Sequence, residues 1–120
     1  MGTSCTVTSG RCGHTTKIEG ELNDEGNFSI KIESTCHHIK TFSKRLSDIQ
    51  IKPKDVSKPI LENPIYIAAN RVVGPECVVP SCVVNVCWVE AGLVSKRLLA
   101  RYPTIEIDYE ISLGPEQGVP

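Results

Sequence analysis

The chain has 120 residues, room for one domain with its own core and too few for two of ordinary size. Hydrophobic residues make up 40% and charged residues 22%, as in a globular protein, while aromatics reach only 5%, so the core rests on Ile, Val and Leu. A formal net charge of −1 lacks the basic excess of a domain held by phosphate contacts and sets nucleic acid aside as a partner. The small basic clusters, Lys44-Arg45 and Lys96-Arg97 with Arg101, read as solvated helix faces.

Residues 4–9 are rich in β-formers and read as a short first strand. Gly10-Arg11-Cys12-Gly13 is a turn, and a second strand follows from Thr15 to Leu22. Asn23-Asp24-Glu25-Gly26 is a strong turn signal. Phe28, Ile30 and Ile32 then alternate with Ser29, Lys31 and Glu33, a strand with one buried and one wet face. After Cys36 the period changes. Ile39, Phe42, Leu46 and Ile49 form the stripe of an amphipathic helix, capped by Thr35 or Ser34, so that Cys36 falls at its N-terminus.

Residues 50–63 contain Pro53 and Pro59 and read as loop with at most a turn of helix. A second helix is expected over Pro64 to Val73, followed by the breaker Gly74-Pro75-Glu76. Pro80 and Ser81 open a third helix that runs to about Ala91, ahead of Gly92. Ile105, Ile107, Tyr109 and Ile111 alternate with Glu106, Asp108 and Glu110, which predicts an edge or half-buried strand returning to the sheet. The expected architecture is α+β: one domain over residues 1–113, a small antiparallel sheet with helices packed on one face, then a disordered tail over 114–120.

No stretch approaches the roughly eighteen apolar residues of a spanning helix, and Met1-Gly2-Thr3-Ser4 lacks the charged-then-apolar order of an export signal. No membrane association and a cytoplasmic location are therefore expected. In that setting Asn27-Phe28-Ser29 is a chance glycosylation acceptor, and Met1-Gly2 with Thr6 and Cys5 a chance lipidation pattern. Six cysteines exceed ordinary usage, and in a reducing compartment thiols that are not core filler serve metal or redox chemistry.

Cys12, Cys36 and Cys77 each sit at a junction: a hairpin turn, a strand-to-helix step and the loop before a helix. A helix N-terminus favours thiolate over thiol, the form that binds metal or attacks, which singles out Cys36. Cys12 and Cys36 also flank a hairpin of equal arms, whose outer ends meet at one edge of the sheet. Cys82 and Cys87, five residues apart on a helix, face different sides and read as small core residues, as does Cys5. His14, two residues beyond Cys12, is the candidate fourth ligand; His37 and His38 read as ordinary helix residues. Three thiolates with one imidazole suit a closed tetrahedral zinc site, and three thiolates with an open position suit an iron–sulfur cluster. The plainer alternative is three unrelated buried cysteines.

Two resemblances follow from these residues. Cys12-Gly13-His14-Thr15-Thr16, Ile32-Glu33-Ser34-Thr35-Cys36, Cys77-Val78-Val79-Pro80-Ser81 and Val89-Glu90-Ala91-Gly92-Leu93 resemble an uncharacterised family of small prokaryotic proteins, over residues 7 to 93. More distantly, Cys12-Gly13, the turn at Asn23-Asp24-Glu25-Gly26, Cys36 heading a helix and Cys77 before another are similar to the IscU/NifU-type iron–sulfur scaffold proteins. That resemblance implies an IscU/SufE-like fold, three cysteines gathered at one tip to hold zinc or a nascent cluster, and a protein partner in cluster or sulfur transfer. The scaffold family has Asp where this chain has His14, and His where it has Glu76; its proline-rich chaperone-binding motif is not visible here.

The leading expectation is thus a metal- or iron–sulfur-binding protein, not an enzyme, with Cys12, Cys36 and Cys77 as ligands and His14 as the fourth. The alternatives are a thiol-active sulfur carrier or redox protein with Cys36 as nucleophile and Cys12 as resolving partner, or a structural or adaptor domain. Neither a Cys-x-x-Cys pair nor a Gly-rich phosphate loop is present.

Overall fold

The structure is a computed structural model and describes residues 2–114. Three strands, β1 (Thr3–Thr8), β2 (Thr15–Leu22) and β3 (Phe28–Ser34), pair antiparallel in the order β1-β2-β3. Four helices follow: α1 (His37–Ser47), α2 (Pro64–Ala69), α3 (Val79–Glu90) and α4 (Lys96–Arg101). This is the α+β architecture expected, and its sheet buries a single face. Thr16, Ile18 and Gly20 of β2 are buried, whereas Lys17, Glu19 and Glu21 between them face solvent.

Asn23 makes the β2–β3 turn by accepting the amides of Glu25 and Asn27 on its side-chain oxygen, both at 3.0 Å, with Gly26 left-handed at φ 81. Asn27 of the formal glycosylation acceptor is buried in this turn.

The stripe on α1 sends Ile39, Phe42 and Leu46 into the core, and Lys44 and Arg45 fall in its last turn, where cations suit the helix dipole. Full burial of a side chain such as Phe42 or Ile18 contributes about 1.5–3 kcal/mol. The predicted fourth stripe member, Ile49, lies beyond the helix end and is exposed; Ile51 fills the core in its stead, and its carbonyl accepts the Phe28 amide at 2.8 Å.

The connection over 50–63 is more ordered than its composition suggests. It holds 3₁₀ turns at Pro53–Asp55 and Ile60–Glu62 and buries Ile51, Val56 and Asn63. The Asn63 side chain donates to the carbonyls of Val56 and Lys58, both at 3.3 Å, and accepts the Ile65 amide at 3.1 Å, which caps α2. Trp88 of α3 donates to the same Val56 carbonyl at 2.8 Å. Helix α2 stops at Ala69 and not Val73, because Arg71 turns left-handed at φ 68.

Helix α3 packs on β2, β1 and α2. Its close approach requires a glycine below it: a Cβ on Gly20 would meet Val86 Cγ1 at 2.8 Å. Its end is a Schellman turn, with Gly92 at φ 77 and the Leu93 amide bonded to the Trp88 carbonyl at 2.9 Å. Ser95 caps α4 through the Leu98 amide at 3.2 Å, and Lys96 pairs with Glu90 at 3.5 Å.

The returning strand predicted at 105–111 does not form. Residues 103–114 belong to no helix or strand, and Ile105, Ile107, Tyr109 and Ile111 are exposed. Alternation dictates which faces a strand would present, but a strand also needs a neighbour with free backbone groups, and no edge of this sheet takes the segment. Of the tail expected at 114–120, only residue 114 is described; the rest lies outside the described residues.

Candidate functional site

The direction of α3 decides where Cys77 lies. The Cys82 side chain stands against that of Cys5, Val86 covers Gly20, and Thr3 donates to the carboxylate of Glu90 at the helix end. Because Gly20 pairs with Thr3 and Ile18 with Cys5, α3 runs antiparallel to β1. Its N-terminus therefore sits at the end of the sheet where β1 stops, β2 begins and β3 passes into α1. The β1–β2 turn with Cys12, the β3–α1 step with Cys36 and the approach to α3 with Cys77 all lie at this end.

Cys12 lies in a turn closed by the Ser9 amide on the His14 carbonyl (3.2 Å) and the Gly13 amide on the Ser9 carbonyl (3.0 Å), with Gly13 at φ 75. Its thiol is exposed. The Ser9 hydroxyl foremost, then the His14 amide, and finally the positive charge of Arg11 hold its pKa below the ordinary thiol value.

Cys36 is itself the N-cap of α1, in place of the predicted Thr35 or Ser34. Both of those side chains are committed elsewhere. Ser34 accepts the Cys36 amide at 3.1 Å and lies 2.8 Å from the Thr16 hydroxyl, while Thr35 Oγ1 lies 2.8 Å from His14 Nδ1. That last contact continues the β2–β3 register beyond Thr16 and Ser34, so His14 stands across from the Cys36 junction. Cys36 is half-buried against the core.

Cys77 is half-buried, with its amide on the Gly74 carbonyl at 3.1 Å. Burial raises its pKa, the Val79 amide opposes, and the negative charges of Cys36, Cys12 and Glu76 push it further up. As the side chains stand, the three cysteines and His14 do not form a closed coordination shell: among the described residues no group of three or more His, Cys, Asp or Glu could hold a metal ion.

Cys87 is fully buried, as expected of core filler. Cys5 and Cys82 are not. They form a half-buried pair between β1 and α3, in which the interaction of the two thiols raises the pKa of Cys5 and lowers that of Cys82. The pair was legible only in part: Cys5 shares the helix-facing side of β1 with Thr3 and Val7, and Cys82 stands one turn before Val86. A surface depression of about 410 Å³ lies at the other end of α1, lined by Arg45, Ile49, Asp55, Lys58, Glu62 and Ile67 among others, and includes no cysteine.

Among the described residues, no helix is long and apolar enough to cross a membrane. Fold and corner together define a small α+β domain with three free cysteines at one end of its sheet. The chain belongs to a family of unknown function, DUF6951, whose family model matches residues 3–102. The matched stretch holds all six cysteines and ends just after α4. No curated protein and no solved structure matched the chain.

Proposed function

We propose that the corner formed by Cys12, Cys36 and Cys77 binds zinc or an iron–sulfur cluster, with His14 as the fourth donor. The observation that carries this reading is the arrival of three thiols, from three separate junctions, at one end of the sheet. Three thiols and an imidazole are the donor chemistry for either group, though their present arrangement is open. Closure would be made by Cys12, which sits exposed on a turn containing Gly10 and Gly13. The half-buried Cys36 and Cys77 would supply the fixed side of the site, and bound metal would supply stability by tying the β1–β2 turn to two helix starts. The likeness to IscU/NifU-type scaffold proteins in cysteine placement supports this reading, on which the chain is a cytoplasmic binding protein that hands cluster or sulfur to a protein partner.

Anaerobic purification followed by metal and acid-labile sulfide analysis tests it. Stoichiometric zinc or iron, lost in Cys36→Ala, is the expected result. Metal-free protein whose melting temperature ignores both added metal and chelator overturns it.

A second reading, a thiol-active sulfur carrier, is favoured by one specific observation: the lowered pKa of Cys12. On this reading the nucleophile is Cys12, where the sequence alone led to Cys36. Its thiolate would attack the outer sulfur of a donor persulfide, forming a Cys12 persulfide as the donor thiolate leaves. Incubation with a preformed low-molecular-weight persulfide followed by mass spectrometry distinguishes the two: a gain of one sulfur on Cys12 without bound metal selects the carrier.

A further inference from the structure

The geometry points to exchange of the segment over residues 104–113 between two copies of this chain, each segment adding a fourth strand to the open β1 edge of the other copy. The inference is independent of the cysteine corner.

Two unsatisfied features of one chain carry it. The first is the segment itself. In an extended strand Ile105, Ile107, Tyr109 and Ile111 would lie on one side and Glu106, Asp108 and Glu110 on the other, yet the residues are unpaired and the four apolar side chains stay 61–76% exposed. A row of this kind has no place in water unless a sheet receives it.

The second is the outer edge of β1. Both edges of a three-stranded sheet leave amides and carbonyls free, but the two edges here are unequal. On β3 the outward amide of Phe28 is taken by the Ile51 carbonyl at 2.8 Å, and Lys31 and Glu33 charge the strand. On β1, Thr-Ser-Cys-Thr-Val-Thr offers neither charge nor proline, the devices that protect an exposed edge. The helix-facing side chains Thr3, Cys5 and Val7 remain only half-buried, because no strand lies beyond them.

The two features match in length and chemistry. Six edge residues meet ten residues of alternating strand. The apolar row would continue the helix-facing layer beside Cys5 and Val7, and the three carboxylates would stand beside the neutral hydroxyls of Ser4, Thr6 and Thr8. The segment does not turn back onto its own sheet. Helix α4 is tied at its start to Glu90, and Tyr102 and Pro103 leave it with Tyr102 at φ −130, ψ 75. Reciprocal exchange between two copies satisfies both edges and both segments at once and closes at two.

Light scattering on a sizing column, with the full chain at 5–100 μM, tests the inference. The expected mass is twice 13.1 kDa, falling to that of one chain when the protein is cut after Tyr102. Thr6→Asp, which faces the acidic row with another carboxylate, weakens the dimer at least tenfold, and Thr6→Lys restores or tightens it. Mixing the truncated chain, which keeps its edge, with full-length Thr6→Asp, which keeps its segment, gives a heterodimer. A full chain of single-chain mass throughout, or a dimer indifferent to both the truncation and the Thr6 charge, overturns the proposal.

Discussion

Val86 of α3 lies so close over Gly20 of β2 that a methyl group on Gly20 would stand 2.8 Å from Val86 Cγ1. This contact sets how near α3 comes to the sheet, and with it the position of Cys82 against Cys5 and of the helix start beside the corner. Gly20→Ala should therefore destabilise the fold by about 1–3 kcal/mol, the usual effect of overpacking. Urea unfolding checks it. In a Gly20→Ala/Val86→Ala double variant the two losses should sum to clearly more than the measured one, since each change relieves the other.

Cys82 is expected to react as an unusually acidic thiol. Hydrogen bonding from Cys5 lowers its pKa from 9.0 to about 7. A lowered pKa means more thiolate at a given pH, so alkylation of Cys82 should rise with pH through a midpoint near 7. Cys5→Ala removes the donor, and the midpoint should move upward. Peptide mass spectrometry after timed iodoacetamide treatment reads both. A midpoint unchanged in Cys5→Ala contradicts the assignment.

Cys12 should be the first thiol labelled at neutral pH in metal-free protein, being exposed and held below the ordinary thiol pKa chiefly by the Ser9 hydroxyl. Ser9→Ala should slow its alkylation severalfold at pH 7 and little at pH 10, where the thiolate forms without help. Equal slowing at both pH values would indicate altered access to the turn and not altered acidity.

Asn63→Ala removes three hydrogen bonds from a buried site and leaves the carbonyl of Lys58 and the amide of Ile65 without their partner. Loss of about 1–3 kcal/mol is expected by thermal or urea unfolding. The site is remote from the cysteine corner, so thiol reactivity at Cys12 should stay as in the parent protein.

The strands, the hairpin, the α1 stripe and the proline-led start of α3 were legible because each is dictated within a few residues: alternation at Phe28–Ile32, a turn at Asn23–Gly26, a period of three and four at Ile39–Leu46. That the Cys12 turn and the Cys36 junction lie at the same end of the sheet followed from the hairpin register. What was not legible needed contacts between distant segments. Nothing near Cys82 announces that Gly20 draws its helix onto β1, and nothing near Asn63 announces that its side chain binds carbonyls five and seven residues back. The alternation at 105–111 misled, because it dictates only which faces a strand would present, and whether one forms depends on an edge elsewhere.

Trp88 is the chain's single tryptophan, and its indole nitrogen donates to the Val56 carbonyl that Asn63 also engages. Intrinsic fluorescence of the protein is therefore a one-residue signal, reporting whether the 50–63 connection is seated against α3. Any treatment that lifts this connection should shift the emission to the red while α3 itself keeps its helical dichroism, so unseating can be followed separately from global unfolding without adding a dye.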